Sequence, residues 1–411
     1  MAADTTTMAN VLQNVYAPDI RDWVNNKRPL SQRLDKVTDK TKFQGSKYII
    51  AASTGRTQAV GSPGEGEALP TGGNEVLVNM EVAMKRHYAV VRITAELMAV
   101  ASGGAGAFVN AFDQEIKGAK DELEEDLAWN RTHGAGHGDL AEVSTYTGTT
   151  LTLKDQPTTI GAMSTRYLRE NMRVDSYTAL SGGSQNANNI LLGTVTGSTD
   201  TVTVPASAGF VAGDFVFRHN SRAGVTQGLA GIIDDGTLVA TFQNLSRTAQ
   251  PKLKANLLGN SAVLRAWTPE LMDELSQESA ENGNGKWPTA FYSQRAIQRR
   301  AAAYIRNDRR VDMPIMKLDN GYETVAWTTE DKGQTPWFTD FLCRSNTVYA
   351  VHEPDLAFAI LTDIGWVNED GSTLRVVDRT HTFEAWLHTR QNMFAYSCNS
   401  QSVLTDVSHT A

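Results

Sequence analysis

Cysteine is almost missing from this chain: Cys343 and Cys398 are the only two in 411 residues. A disulfide framework is therefore excluded, and two lone thiols suit a reducing cytoplasm in which both stay free. No window approaches the ~18 uninterrupted apolar residues of a membrane-spanning helix, and no signal-peptide pattern opens the chain. A basic surplus is lacking as well. The net charge is -8, which argues against a protein that coats nucleic acid by bulk attraction. Catalytic signatures are equally scarce: no Gly-x-Ser-x-Gly elbow, phosphate-binding loop or dinucleotide fingerprint stands in a strand–turn–helix context. What remains is a mildly acidic, soluble, cytoplasmic protein, long enough for two or three domains' worth of core and with no cofactor expected.

The most informative stretch runs from Gly106 to Gly134. Phe108, Phe112, Ile116, Ala119, Leu123 and Leu127 recur at steps of three and four, which lays one apolar stripe along a helix of about seven turns. The other faces carry Asp113, Glu115, Lys117, Lys120 and the acidic run Asp121 to Asp126. Gly103 and Gly104 mark the start, and Gly134, Gly136 and Gly138 stop it. At roughly 1.5 Å per residue the helix spans about 40 Å.

Upstream, Val76, Val78, Met80, Val82 and Met84 alternate with Leu77, Asn79, Glu81 and Ala83, the period of a long strand. A shorter candidate strand covers Lys47 to Ala52. Between them lies a Gly-rich loop, Thr54 to Asn74, containing Arg56, Glu65 and Glu67. A loop that long belongs outside a compact domain, and a lone two-stranded hairpin needs other protein to lie on.

Other segments fall into place around these. Residues 1–42 form a patchy arm broken at Pro29, unable to bury itself. Residues 139–261 read as short strands and carry an internal repeat: YTGTTLTL at 146–153 resembles VTGSTDTVTV at 195–204, and YLRENMRVDSY at 167–177 resembles FVAGDFVFRHN at 210–220. Two such units suggest an inserted small barrel or sandwich. Thr268 and Pro269 open a helix as N-cap and first helical residue. A second helix, about Ser293 to Asn307, places Arg295, Arg299, Arg306 and Arg310 near one face. His133, His137 and Asp139 could pass for metal ligands, but the intervening glycines make a helix-ending loop the better reading. Glu65 and Glu67 resemble paired acid–base carboxylates, yet nothing fixes their geometry.

The order of these parts is similar to the tailed double-stranded-DNA bacteriophage major capsid fold (Hong Kong type). The residues that carry the resemblance are Gly64 to Pro70, Lys85 to Met98, the helix from Gly106, and Phe383 to Val407. It covers most of residues 1–135 and 262–407. The resemblance implies an α+β subunit with an N-terminal arm (1–42), an extended β-hairpin loop (43–100), a spine helix of the peripheral domain (101–138), and an axial domain with returning peripheral strands (262–411). The β-rich region 139–261 is then an insertion. It further implies a major capsid protein that self-assembles into pentamers and hexamers of an icosahedral shell, built in the host cytoplasm around packaged DNA. Scaffolding protein, portal and a decoration or cement protein are the implied partners, without a membrane. The arginine face then has three open readings: DNA phosphates, an ion-pair surface between subunits that meets carboxylates such as Asp121 to Asp126, or a solvated face. Two other functions stay open: an encapsulin-type nanocompartment, and a metal-dependent or carbohydrate-active enzyme. Some members of the resembled family cross-link a loop lysine to a neighbour's asparagine. Here no lysine lies between Lys47 and Lys85, so a shell without covalent locks is expected.

Overall fold

The computed structural model describes residues 28–55, 60–72, 74, 76–94, 105–154, 165–307, 315–317, 323–329, 333–368, 373–377 and 380–408. Arg56 and Arg310 lie outside these residues, and so do the side chains of Phe108, Phe112 and Arg306. Helix α1 (Pro29–Arg33) begins on its proline, where a missing N–H costs nothing. Strand β1 (Asp35–Val37) follows it. Strands β2 (Lys47–Gly55) and β3 (Val76–Ala83) form the antiparallel hairpin, in register from Lys47↔Ala83 to Gly55↔Val76. Strand β4 (Lys85–Thr94) comes next, then the long helix α2 (Ala105–Thr132). α2 matches the extent that the apolar spacing predicts.

Residues 85–94 correct the grouping of 43–100 as one hairpin. The period of two continues past Met84, with His87, Ala89 and Val91 turned inward, but the pairing partner changes. All ten residues of β4 pair with the long C-terminal strand, from Lys85↔Gln391 to Thr94↔Thr382.

The inserted region is a closed β-structure. Its strands are β5 (Asp139–Thr147), β6 (Thr150–Leu153), β7 (Arg173–Tyr177), β8 (Gln185–Leu191), β9 (Val195–Thr196), β10 (Thr201–Thr203) and β11 (Phe215–Arg218), in the order β9-β10-β6-β5-β11-β7-β8. Every pairing is antiparallel. The two edge strands β8 and β9 are consecutive in the chain. Between them the Leu192 N–H donates to Met172 O at 2.9 Å, while the Gly193 N–H donates to Thr203 O at 2.7 Å. One bent segment thus joins both edges, and the sheet rolls into a barrel with no free edge there. The internal repeat explains the symmetry: β6 pairs with its counterpart β10 (Leu151↔Val202), and β7 with its counterpart β11 (Ser176↔Val216). Like strands pairing antiparallel define a local two-fold axis. Leu140, Val143, Leu151, Val174, Val202, Phe210 and Val216 fill the interior.

The insert ends earlier than residue 261. From Leu229 onward Leu229, Ile232, Phe242 and Ala255 pack with Leu30, Leu34 and Phe358 in a central core, apart from the barrel. A 3.6-period or alternating pattern is too short in 229–258 to reveal this from sequence.

The C-terminal part contains α3 (Pro269–Asn282), β12 (Ala290–Ser293), α4 (Arg295–Asn307), β13 (Glu323–Thr329), β14 (Gly333–Thr339), β15 (Val348–Val351), β16 (Leu356–Trp366), β17 (Leu374–Val376), β18 (Thr382–Ala395) and β19 (Ser402–Leu404). It divides between two sheets. In one, β19, β15, β12, β14 and β13 lie side by side, flanked by short strands at Asn256–Leu258 and Ile315–Lys317. In the other, β1 runs parallel to β16, β16 pairs with β18, and β17 and β4 also pair with β18. Thr268 does occupy the N-cap of α3 and Pro269 follows it, but the threonine side chain makes no capping hydrogen bond.

α2 lies on the β4–β18–β16 sheet. Ile116, Leu123 and Leu127 are buried against Val91, Ile364, Trp366, Leu374, Ala385 and Leu387, each contributing about 1.5–3 kcal/mol through burial. Cys343 and Cys398 are free and buried. Replacing Leu123 by alanine should destabilise the subunit by about 2–5 kcal/mol, read as a lower urea midpoint at unchanged slope. Leu123→Asp should leave no soluble folded chain, because a carboxylate would enter an apolar seam.

Candidate intersubunit surfaces

Among the described residues, the β2–β3 hairpin is fastened to the rest of the subunit at its base. Tyr48 and Val82 pack on Ala357, Ala359 and Phe394, with the Tyr48 and Phe394 rings 5.1 Å apart. Lys47 Nζ donates to Glu81 Oε2 at 2.6 Å, and the Glu81 N–H donates to Gln243 O. Beyond the base the strand alternation no longer buries anything: Val76 and Leu77 are exposed, as are Val60 (93%) and Leu69 (80%) on the loop. Glu65 and Glu67 are exposed too. Glu67 closes a small turn, its Oε2 accepting from the Gly64 N–H at 3.0 Å and its own N–H donating to Gly64 O. The two carboxylates act as turn and surface residues, with no shared proton acceptor or metal geometry around them.

Four carboxylates of the acidic run on α2 find partners within the chain. Glu124 accepts from Arg28 Nε at 3.0 Å, and Arg28 reaches Asp340 at 3.4 Å while stacking over Phe341. Glu122 accepts from Arg218 Nη2 at 2.8 Å, and Glu125 pairs with Arg169. Asp126 Oδ2 lies 3.1 Å from His87 Nδ1, and its Oδ1 accepts from the Tyr167 hydroxyl at 3.2 Å. Burial alone would raise the Asp126 carboxyl, but His87, Arg218 and Tyr167 outweigh it and hold it below its ordinary range. Four carboxylates thus join the arm, strand β4 and the barrel to one helix. The reading in which Asp121 to Asp126 meet a neighbour's arginines is corrected for these four, whose partners are their own.

The helix end is buried on every side. Trp129 stacks on His133 at 4.1 Å and on Tyr167 at 4.9 Å, and its Nε1 donates to Asp139 O at 3.2 Å. Burial, then the nearby Arg344, push the His133 pKa well below its usual value, so its ring is neutral. His137 Nε2 lies 3.2 Å from Leu238 O. Among the described residues no three His, Cys, Asp or Glu are placed to hold a metal. Neither Trp129 nor Arg28 was visible as important in the sequence: the tryptophan falls off the apolar stripe, and an arginine in an arm gives no signal of its partner.

On α4, Ile297 and Ala301 are buried with Trp337 and Trp267, whereas Arg295 and Arg299 are exposed. Loss of the two kinds of ion pair should differ in size. The Glu124 side chain is 1% exposed, so Arg28→Ala takes a direct partner from a buried carboxylate that Arg131 still attracts, and should cost about 2–3 kcal/mol. Arg169→Ala removes a more exposed, solvent-screened pair with Glu125 and should cost under about 1 kcal/mol. Equilibrium denaturation of both variants checks the ranking.

No family model and no curated protein matches the sequence. Among solved structures, the fold is similar to the cyanophage A-1(L) capsid asymmetric unit, with 14% identity over 98% of this chain and 93% of that one and a TM-score of 0.47. It is similar to Mycobacterium phage Bobi, with 10% identity over 99% of each chain and a TM-score of 0.43. It is also similar to the holo-SrpI encapsulin complex from Synechococcus elongatus PCC 7942, with 9% identity over 94% of this chain and 90% of that one and a TM-score of 0.46.

Proposed function

We propose that this chain is the major capsid protein of a tailed, double-stranded-DNA phage, a subunit that associates with copies of itself into pentamers, hexamers and a closed icosahedral shell. The observation that carries the reading is the hairpin. Its base is sewn into the subunit, while Val60, Leu69, Val76 and Leu77 present apolar surface that its own chain leaves uncovered. A two-stranded ribbon of this kind gains stability by lying on other protein. Scaffolding protein during assembly, a portal, a decoration protein at the joints and packaged DNA are further partners under this reading. The shell is assembled in the host cytoplasm and matures as the virion capsid.

The role is architectural. A carbohydrate-active or metal-dependent enzyme would need clustered groups, and the candidate pairs fail separately: Glu65 and Glu67 lie on an exposed turn, and His133 is a buried neutral ring. An encapsulin-type container shares the architectural logic and is separated by its contents, protein cargo instead of nucleic acid.

Deleting residues 56–73 and joining the strands by a short turn should leave a subunit with unchanged circular dichroism that sediments as small species. Shells of normal size from that variant would sink the proposal. Covalent locking is a separate matter. Lys47 is engaged with Glu81 at the hairpin base, and Lys85 Nζ donates to Ala223 O at 2.7 Å. Boiled particles should therefore run as a single band near 44.8 kDa; a ladder resistant to heat and reductant would contradict this.

A further inference from the structure

The helix-covered sheet carries two helices of opposite charge. Within α3, PELMDELSQESAEN, stand Glu270, Asp273, Glu274, Glu278 and Glu281, with no basic residue. Within α4, RAIQRRAAAYIRN, stand Arg295, Arg299, Arg300 and Arg306, with no acidic one. Both helices bury their apolar sides in the same core: Met272 and Leu275 from α3, Ile297 and Ala301 from α4, all against Phe291, Trp337, Val348 and Leu404. Both therefore cover the same face of the sheet. They occupy different parts of it. α3 rests on β19 and β15, towards one end of the strand order. α4 follows β12 and is tied to β14 by Gln298 Nε2, which donates to Trp337 O at 3.1 Å. Glu270, Glu274, Glu281, Arg295 and Arg299 are all exposed. Among the described residues none of them enters an intramolecular ion pair.

We infer that this layer is a head-to-tail contact between copies of this chain, the acidic face of α3 on one subunit meeting the basic face of α4 on the next. A surface whose two ends are complementary to each other, rather than each to itself, generates rings when the rotation closes. This is the arrangement a capsomer needs, and the inference rests on the capsid reading above. Duplex DNA fits the layer less well. Its phosphates would be drawn to Arg295 and Arg299 and repelled by the equally exposed Glu270, Glu274 and Glu281 of the same layer, so the summed charge gives no gain. The acidic residues 122 and 124–126 of α2 are also unavailable to α4, being paired inside the subunit. Exposed charges of this kind are screened over about 8 Å at physiological salt, so ring formation should weaken as salt rises.

Two charge reversals made in the full-length chain test the contact. The first, Arg295→Glu with Arg299→Glu, turns the exposed pair on α4 acidic, like the face of α3. The second, Glu274→Lys with Glu281→Lys, turns two exposed positions on α3 basic. Each variant alone should show wild-type circular dichroism and sediment as monomer. Mixed in equal amounts they should form even-membered rings, because in an alternating ring the new lysines of one variant meet the new glutamates of the other, and the unchanged helices meet each other. A folding defect would not be rescued by mixing, and neither would loss of a DNA contact. The inference fails if either variant alone assembles as the unsubstituted chain does, or if the mixture stays monomeric. It also fails if the α4 variant makes normal shells that merely hold less DNA, which would assign the arginines to phosphate. Should a reversed variant not fold, R295Q/R299Q replaces it. That variant should need about tenfold more protein to assemble, and an unchanged requirement overturns the contact. Failure of the unsubstituted chain to assemble at low salt is a different result: it removes the capsid reading, and this interface with it.

Discussion

Two environments meet along α2, and most of the subunit is arranged to satisfy both. Its apolar stripe must leave water, which brings it onto the β4–β18–β16 sheet. Its opposite side carries carboxylates that cannot be enclosed without partners, and these arrive from three separate segments. Arg28 comes from the arm, His87 from β4, and Arg169 and Arg218 from the barrel. In the last turns no wet face is left. Ala128 and Trp129 enter the barrel core, while Arg131 lies under Phe358 with its guanidinium donating to Ser31 Oγ and Gln391 Oε1. Burial brings the Arg131 pKa down to about 10, still high enough to keep the charge. One helix thereby holds arm, sheet and insert in a fixed relation.

That relation contrasts with the hairpin. The subunit's interior is cross-braced by buried pairs such as Arg247 with Asp234, in which the carboxylate also accepts from the Gly236 and Val239 N–H groups. The hairpin has strand pairing, an exposed ion pair and a small apolar foot. Rigid body and outreaching ribbon are the two properties that a lattice-building subunit combines: the first fixes angles between neighbours, the second spreads contact area over them. Similar division of labour between a scaffold and its projecting segments is common where binding is carried by loops.

Periodicity made part of this legible. The steps of three and four identify Ile116, Leu123 and Leu127 as the buried face, and the alternation at 76–84 gives a strand with Met80 and Val82 inside. The repeat at 146–153 and 195–204 foretells paired β-units because similar segments fold alike. Other features depend on distance in space and leave no local trace. Nothing near Glu122 in the chain indicates that Arg218 will meet it. Alternation also does not say which strand a strand will pair with, so β4 looks like part of the hairpin until β18 is in place. Thr268 illustrates a further gap: residue type and position suit a cap, yet its side chain makes no capping bond to the helix backbone and instead engages the Glu270 side chain.

The barrel's entry and exit lie side by side. The Ala223 N–H donates to His137 O at 2.8 Å, so the chain leaves the insert one hydrogen bond away from where it entered. To the rest of the subunit, those intervening residues are a closed loop whose ends are already together. Closure entropy grows only slowly with loop length, by about 0.6 kcal/mol per doubling. Carrying a whole barrel at this point, in place of a short turn, therefore costs the rest of the fold little in closure entropy. Neighbouring ends are only half of the attachment: Trp129 stands in the barrel core and Arg169 and Arg218 hold carboxylates of α2, so a foreign module joined at the same doorway would also have to cover that end of the helix.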